Sequence, residues 1–177
     1  THTIFSHSLG AYHLAKVLCE HLLDVQPGVI SDEDAELVAI AAMLHDVGHA
    51  PFSHLLETDK VFANYHNHED WGRKILESEE TEIGMAIREV LGEKRTGRLF
   101  ALYAGKKDYQ GEAIAPFMYE IVSSQLDVDR MDYMIRDQAN SGAQIGGFDY
   151  SRVIRALRVG ENGHLYAKDW GLPAIEA

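Results

Sequence analysis

Three histidines and one aspartate lie in one short stretch of the sequence, 44-LHDVGHAPFSH-54, which begins at the end of an apolar run over residues 37–44. The chain contains ten histidines, and five of them lie between residues 45 and 68. A histidine on a helix is more often a structural residue than a ligand, so the enrichment alone decides nothing. The more informative feature is that His45 and Asp46 stand at the end of an apolar helix.

Asp46 needs a partner if it is buried there, because an unpaired buried carboxylate costs several kcal/mol. In one interpretation, Asp46 accepts backbone N–H bonds from a turn at Gly48, and His45 caps a helix carbonyl. In the other, a divalent metal takes an imidazole nitrogen and a carboxylate oxygen as adjacent ligands. The pattern of residues leaves both open.

Two distant segments carry further groups of the same chemical type. His7 lies in 5-FSHSLGAYHLA-15 at the start of a predicted helix. Four acids occur in 126-LDVDRMDYMIRD-137, where they alternate with apolar residues on several sides of a predicted helix: Asp127, Asp129, Asp132 and Asp137. We therefore expect at least one of these carboxylates to point inward.

A zinc protease helix is a weaker interpretation of 45-HDVGH-49, where two histidines are spaced i and i+4. The residue after His45 is an aspartate, one methylene shorter than the glutamate base of such sites. Gly48 also breaks the helix between the two histidines.

Helical periodicity dominates the elements that must position these groups. Ser31 or Asp32 is expected to cap the second helix. Helices are predicted over residues 7–25, 35–44, 67–79, 81–92, 115–140 and 149–159, with a tight turn and a short helix at 47–54, a loop or loose helix at 93–111 and a loop at 142–147. Asn162-Gly163 is a hairpin turn signal. The sequence thus predicts one all-α domain over residues 1–177, with a small C-terminal β-hairpin.

The charge balance restricts the partners. The 28 acidic and 16 basic residues give a net charge of −12, which repels phosphate backbones and argues against general nucleic-acid binding. The charge of an anionic ligand would have to be neutralised locally, by a metal or a few arginines.

We find no membrane-spanning run or signal peptide, and the single cysteine, Cys19, cannot form an internal disulfide, so a cytoplasmic location is expected.

The motifs together resemble the HD-domain phosphohydrolase superfamily, specifically its deoxynucleoside triphosphate triphosphohydrolase branch. The matching segments follow the order of the family: 6-SHSLGAYHLA-15, 45-HDVGHAPFSH-54, His68-Glu69, 127-DVDRMDYMIRD-137 and 146-GGFDYSRVI-154. The resemblance implies an HD-domain helical bundle with one divalent ion, of which the ligands are His7, His45, Asp46 and Asp129. This mixed nitrogen and oxygen set suits Mn, Fe, Ni, Zn or Mg.

The resemblance also implies a catalytic set around the substrate phosphates: His49, His54, Glu57 and His68. Glu57 could orient His54 and raise its pKa, as a general acid requires, although the two could equally form an exposed i,i+3 pair worth at most about 0.5 kcal/mol. Arg130 resembles a phosphate contact, Tyr133 a ring that packs on the sugar, and Asp137 an acceptor for the 3′-hydroxyl. The alternative for these three is a charged helical stripe in which Tyr133 belongs to the core.

Two departures from the family pattern stand out. Ile4 occupies the position where relatives commonly have a phosphate-binding arginine, and the chain ends at 173-PAIEA-177, where the family continues through more helices, so we expect it to be truncated.

The family implies a nucleotide substrate and a homo-oligomer, and the expected reaction is hydrolysis of a dNTP to deoxynucleoside and triphosphate. A nucleoside monophosphatase or other phosphomonoesterase, and a catalytically weak nucleotide-binding regulatory module, remain alternatives.

Overall fold

The computed structural model describes residues 3–50, 67–141 and 149–175. The helices are α1 (Ile4–Val25), α2 (Asp32–Leu44), α3 (His68–Glu77), α4 (Glu82–Tyr103), α5 (Pro116–Val122), α6 (Val128–Ser141), α7 (Tyr150–Ala156) and α8 (Leu172–Ile175), and the strands are β1 (Asp108–Tyr109), β2 (Glu112–Ala113), β3 (Leu157–Val159) and β4 (Leu165–Ala167). The chain divides into two compact units, Thr1–Met43 with Ile114–Ala177, and Leu44–Ala113. The predicted all-α class is confirmed.

Helix α1 begins with a reciprocal cap. The Thr3 hydroxyl accepts from the backbone N–H of Ser6 at 3.1 Å, and the Ser6 hydroxyl accepts from the Thr3 N–H at 3.2 Å. Such a capping box satisfies two of the N–H groups that a helix start leaves without partners. Helix α1 then buries a continuous apolar face: Ala11, Leu14, Ala15, Leu18, Cys19 and Leu22.

Helix α2 is capped by Ser31, of which the hydroxyl accepts from the Asp34 N–H at 3.0 Å. Three acids in its first turn suit the positive end of the helix dipole. The body of α2 is almost entirely buried, including Leu37, Val38 and Ala41. This agrees with the expectation from its apolar sequence.

The long helix predicted over 115–140 is wrong, because the chain forms α5 and α6 with a break between them. Ser123 is extended (φ −147°, ψ 103°) and ends α5. Asp127 then caps α6, since its two carboxylate oxygens accept from the N–H groups of Ser124 and Arg130, each at 2.8 Å. An aspartate at this position satisfies N–H groups that a continuous helix would have used internally.

Helix α7 is also shorter than predicted. Asp149 caps it by accepting from the Arg152 N–H at 3.0 Å, and the helix ends at Ala156. Residues 157–159 form β3, which pairs with β4 in an antiparallel hairpin around the predicted Asn162-Gly163 turn. The expected C-terminal hairpin is thus confirmed, and it begins within the range predicted to be helical.

In the second unit, the loop or loose helix predicted at 93–111 is mostly helix. Gly92 adopts φ 71° and ψ 171°, a conformation that favours glycine, but the helix resumes and continues to Tyr103. Burial of Leu99 and Leu102 explains the continuation, since these residues supply the apolar face. A second small hairpin, β1–β2, follows, and Lys94 binds it through Glu112 at 2.7 Å.

None of the helices in the described ranges combines the length and the apolar character that a bilayer crossing requires.

Candidate metal centre

His7 lies in the first turn of α1, where it is only 6% exposed. Its Nε2 atom lies 3.0 Å from Oδ1 of Asp129, and its Nδ1 atom lies 2.7 Å from Oδ2 of Asp132. Both acids belong to α6, which packs against α1. One imidazole therefore contacts two carboxylates of a neighbouring helix, one through each ring nitrogen.

Asp132 is the more deeply buried of the two carboxylates and is also bound by Arg136. Burial opposes ionisation of Asp132, but the hydrogen bonds and charges of His7 and Arg136 outweigh it, so the pKa of Asp132 is lowered. Arg136 also donates to the backbone carbonyl of Ser6. The motifs assign no role to Asp132, although its i,i+4 spacing to Arg136 is a signal in the sequence that the two can pair.

The expectation that an acid of the 126–137 segment points inward is confirmed for Asp127 and Asp132, which are 5% and 4% exposed. Burial raises the pKa of Asp127 despite two backbone N–H donors. Asp127 is thus a cap that starts α6 and places Asp129 and Asp132 on it.

In the second unit, the chain leaves α2 through a tight turn. The N–H of Val47 donates to the carbonyl of Leu44 at 3.1 Å, and the N–H of His49 donates to that of Asp46 at 3.0 Å. The turn directs two imidazoles to one oxygen: Oδ1 of Asp46 lies 3.1 Å from Nε2 of His45 and 3.3 Å from Nε2 of His49.

His68, the first residue of α3, joins this group. Its ring stacks on that of His49 with centroids 4.0 Å apart and an interplanar angle of 13°. Ligand atoms of Asp46, His49 and His68 lie within 4.8 Å of one another, so these side chains could hold a cation. Asn67 caps α3 by accepting from the Asp70 N–H at 2.8 Å.

Two contacts fix the turn against its surroundings. A Cβ added to Gly48 would lie 1.9 Å from the carbonyl oxygen of His68 and 2.3 Å from the backbone nitrogen of Gly72. The hydroxyl of Tyr103, at the end of α4, donates to the carbonyl of His45 at 3.1 Å. Gly48 is therefore required for the close approach of the turn to α3.

The donor set suits a divalent metal. Two ligands at right angles, each about 2.1 Å from an ion, are about 3.0 Å apart. The pair His7 and Asp129 has this separation, at 3.0 Å, and so does the pair His45 and Asp46, at 3.1 Å. Imidazole with carboxylate is a combination that Mn, Fe, Zn and related ions accept. Each unit thus contains a pair whose chemistry and spacing fit two adjacent metal ligands.

The other predicted site residues are distributed as follows. The predicted acid His54 and its partner Glu57 lie outside the described residues. Arg130 and Asp137 are exposed on α6, and Tyr133 is 37% exposed, so the alternative that placed it in the core is wrong. Ile4 is 57% exposed at the start of α1. The roles assigned to these residues remain predictions.

Comparison with known proteins places these features in a family. Residues 4–137 match the sequence model of the HD domain. YwfO of Bacillus subtilis, described as uncharacterized, is 34% identical over an alignment of 177 positions, which covers 99% of this chain and 37% of YwfO. Deoxynucleoside triphosphate triphosphohydrolase SAMHD1 of Mus musculus is 32% identical over an alignment of 183 positions, which covers 91% of this chain and 28% of SAMHD1.

A solved structure gives the same result for the fold. A phosphohydrolase from Bacteroides thetaiotaomicron superposes with a TM-score of 0.79 at 31% identity, covering 99% of this chain and 39% of that protein. The present chain thus spans at most 39% of the length of these three proteins. Because the match to the HD-domain model extends over residues 4–137, the chain belongs to the HD-domain family.

Proposed function

We propose that this protein is a metal-dependent phosphohydrolase that converts a dNTP to deoxynucleoside and triphosphate. One divalent ion would be held by His7, His45, Asp46 and Asp129. The observation that carries the proposal is that two histidine–aspartate pairs, His7 with Asp129 and His45 with Asp46, each have the separation of adjacent metal ligands. The SAMHD1 relatives are deoxynucleoside triphosphate triphosphohydrolases, which supports the substrate class.

The charge of the protein favours the same assignment. With a net charge of −12, a polyphosphate can bind only where local positive charge offsets the overall field. A divalent ion held by these residues would supply that charge, would polarise the phosphoryl group and would lower the pKa of a coordinated water. His49 and His68, stacked at 4.0 Å, present two imidazoles that can donate to phosphate oxygens.

Three residues of α6 bind the remainder of the nucleotide in this proposal. Arg130, Tyr133 and Asp137 are spaced by three and four residues, so they share one face of α6, and all three are exposed there. The guanidinium of Arg130 contacts a phosphate, the ring of Tyr133 packs on the sugar, and the carboxylate of Asp137 accepts from the 3′-hydroxyl.

Hydrolysis of a dNTP to deoxynucleoside and triphosphate consumes one water molecule. The water oxygen forms a bond to the α-phosphorus, and the bond from that phosphorus to the 5′-oxygen breaks. The 5′-oxygen gains a proton from His54, which Glu57 keeps protonated, and the water protons pass to His54 and to solvent. General acid catalysis of this kind contributes typically about 10²–10⁴-fold.

The test is to incubate the protein with Mn²⁺ and each dNTP in turn and to identify the phosphorus product. Inorganic triphosphate in equal amount to deoxynucleoside is the expected result, and His45→Ala should abolish it. Release of phosphate from a nucleoside monophosphate would favour a phosphomonoesterase. Nucleotide binding without any product would favour a regulatory module.

A further inference from the structure

We propose that Asp132, Arg136 and Gly10 form a positioning group that holds the His7 ring in one tautomer, with Nε2 as the nitrogen that binds the metal. This inference rests on the proposed function, because it assigns a role to residues that support one of its ligands. None of the three is itself a proposed ligand. All of them lie on α1 and α6 of the first unit.

The first step is the hydrogen bond between His7 and Asp132. The carboxylate of Asp132 can only accept, so the 2.7 Å contact places the ring proton on Nδ1. In the neutral ring the lone pair is then on Nε2, and the 3.0 Å separation of Nε2 from Oδ1 of Asp129 is that of two ligands that share one ion. A histidine that donates its other nitrogen to a carboxylate is a stronger and better oriented metal ligand.

The second step is the anchoring of Asp132 itself. Nε of Arg136 donates to Oδ2 of Asp132, the same oxygen that accepts from His7. Nη2 of Arg136 donates to the carbonyl of Ser6, the residue before His7. The guanidinium therefore binds both the carboxylate and the backbone of α1, and it holds the distance between His7 and Asp132.

The third step explains a glycine in the first turns of α1. A Cβ at Gly10 would lie 1.7 Å from Oδ1 of Asp132 and 2.5 Å from Nη2 of Arg136. Gly10 follows His7 by three residues and so lies on the same face of α1. The absence of a side chain there leaves the space that the Asp132 carboxylate occupies.

The test compares Asp132→Asn with the wild-type protein in two measurements. Titration with Mn²⁺ alone, followed by the electron paramagnetic resonance signal of free Mn²⁺, should give a Kd about 10–100-fold higher for the variant. The ¹⁵N spectrum of His7 in metal-free protein, recorded at a pH at which the ring is neutral, should show an Nδ1–H tautomer in the wild type and a mixture in Asp132→Asn. Because the spectrum is recorded on folded protein, misfolding of the variant cannot explain a change of tautomer.

Asp24→Asn is the matched control. It makes the same chemical change at an exposed position of α1, 17 residues from His7 and therefore about 25 Å away along the helix. It should leave both the Kd and the tautomer unchanged.

Arg136→Lys is a second variant, which keeps the charge but removes the Nε donor, and it should weaken Mn²⁺ binding in the same direction. If Asp132→Asn bound Mn²⁺ as tightly as the wild type and kept a pure Nδ1–H tautomer, the inference would be overturned. Wild-type protein that binds no Mn²⁺ would contradict the proposed function instead, and the tautomer measurement would still decide whether Asp132 orients His7.

Discussion

Gly48→Ala is expected to damage both stability and the site, because the added methyl group has no space. It would lie 1.9 Å from the carbonyl oxygen of His68, whereas carbon and oxygen in contact are about 3.3 Å apart. The start of α3 would therefore have to move by roughly 1.4 Å. Both obstructing atoms belong to the backbone of α3, so we expect a cost at the upper end of the range for overpacking, about 3 kcal/mol.

The same movement separates His49 from His68, of which the rings stack at 4.0 Å. A displacement of about 1 Å in a catalytic site lowers activity by roughly 10²-fold, and we expect a loss of that order. Urea unfolding measures the first effect, and triphosphate release at a temperature where the variant is folded measures the second.

Gly28→Ala is the control for this substitution. Gly28 has φ +84° and no atom within 4 Å of an added Cβ. The free energy of unfolding of this variant should therefore fall only by the backbone penalty of about 1–2 kcal/mol, and its activity should be unchanged. If Gly48→Ala were no less stable than Gly28→Ala and equally active, the close approach between the turn and α3 would be irrelevant, and our account of Gly48 would be wrong.

Two further predictions concern the surroundings of the site and the core. Tyr103→Phe removes the 3.1 Å hydrogen bond to the carbonyl of His45 and should lower the free energy of unfolding by about 1 kcal/mol, which chemical denaturation would detect; an unchanged value would mean that the hydroxyl contributes nothing. Burial, with a smaller effect of Glu20, raises the pKa of the Cys19 thiol to about 12, so about one molecule in 10⁴ carries the thiolate at pH 8 and native protein should not react with Ellman's reagent. Unfolded protein should yield its single thiol, whereas rapid labelling of the native protein would contradict the burial of Cys19.

The fold was predictable from the sequence where an element has a clear apolar face and a recognisable cap. Helices α1 and α2 follow the periodicity of their sequences, and Ser31 caps α2 as expected. The break before α6 was missed because the apolar residues on either side continue a helical pattern. Only the hydrogen bonds of Asp127 reveal that it acts as a cap rather than as part of a continuous helix.

In α4 the sequence predicts a break where the helix in fact continues. Gly92 was expected to end a helix, and it does adopt a positive φ, but burial of Leu99 and Leu102 favours a second helical segment directly after it. A glycine in sequence indicates where the backbone can turn, and the tertiary contacts decide whether the helix continues.

Residue types in motifs led to the site, but its supporting contacts did not follow from them. Asp132 was grouped with three other acids, and its bond to His7 joins residues 125 positions apart in the sequence. Such a contact depends on the packing of α1 against α6, which sequence periodicity does not specify. The stacking of His49 on His68 is a tertiary contact of the same kind.

The most direct test of the account is the metal content of the protein and of two single variants. After incubation with Mn²⁺ and removal of the free ion, elemental analysis should find one Mn²⁺ per chain in the wild type. His45→Ala and Asp129→Ala should each bring it close to zero, because both residues are proposed to hold the same ion. A wild type without bound metal, or full occupancy in either variant, would contradict the proposed metal centre.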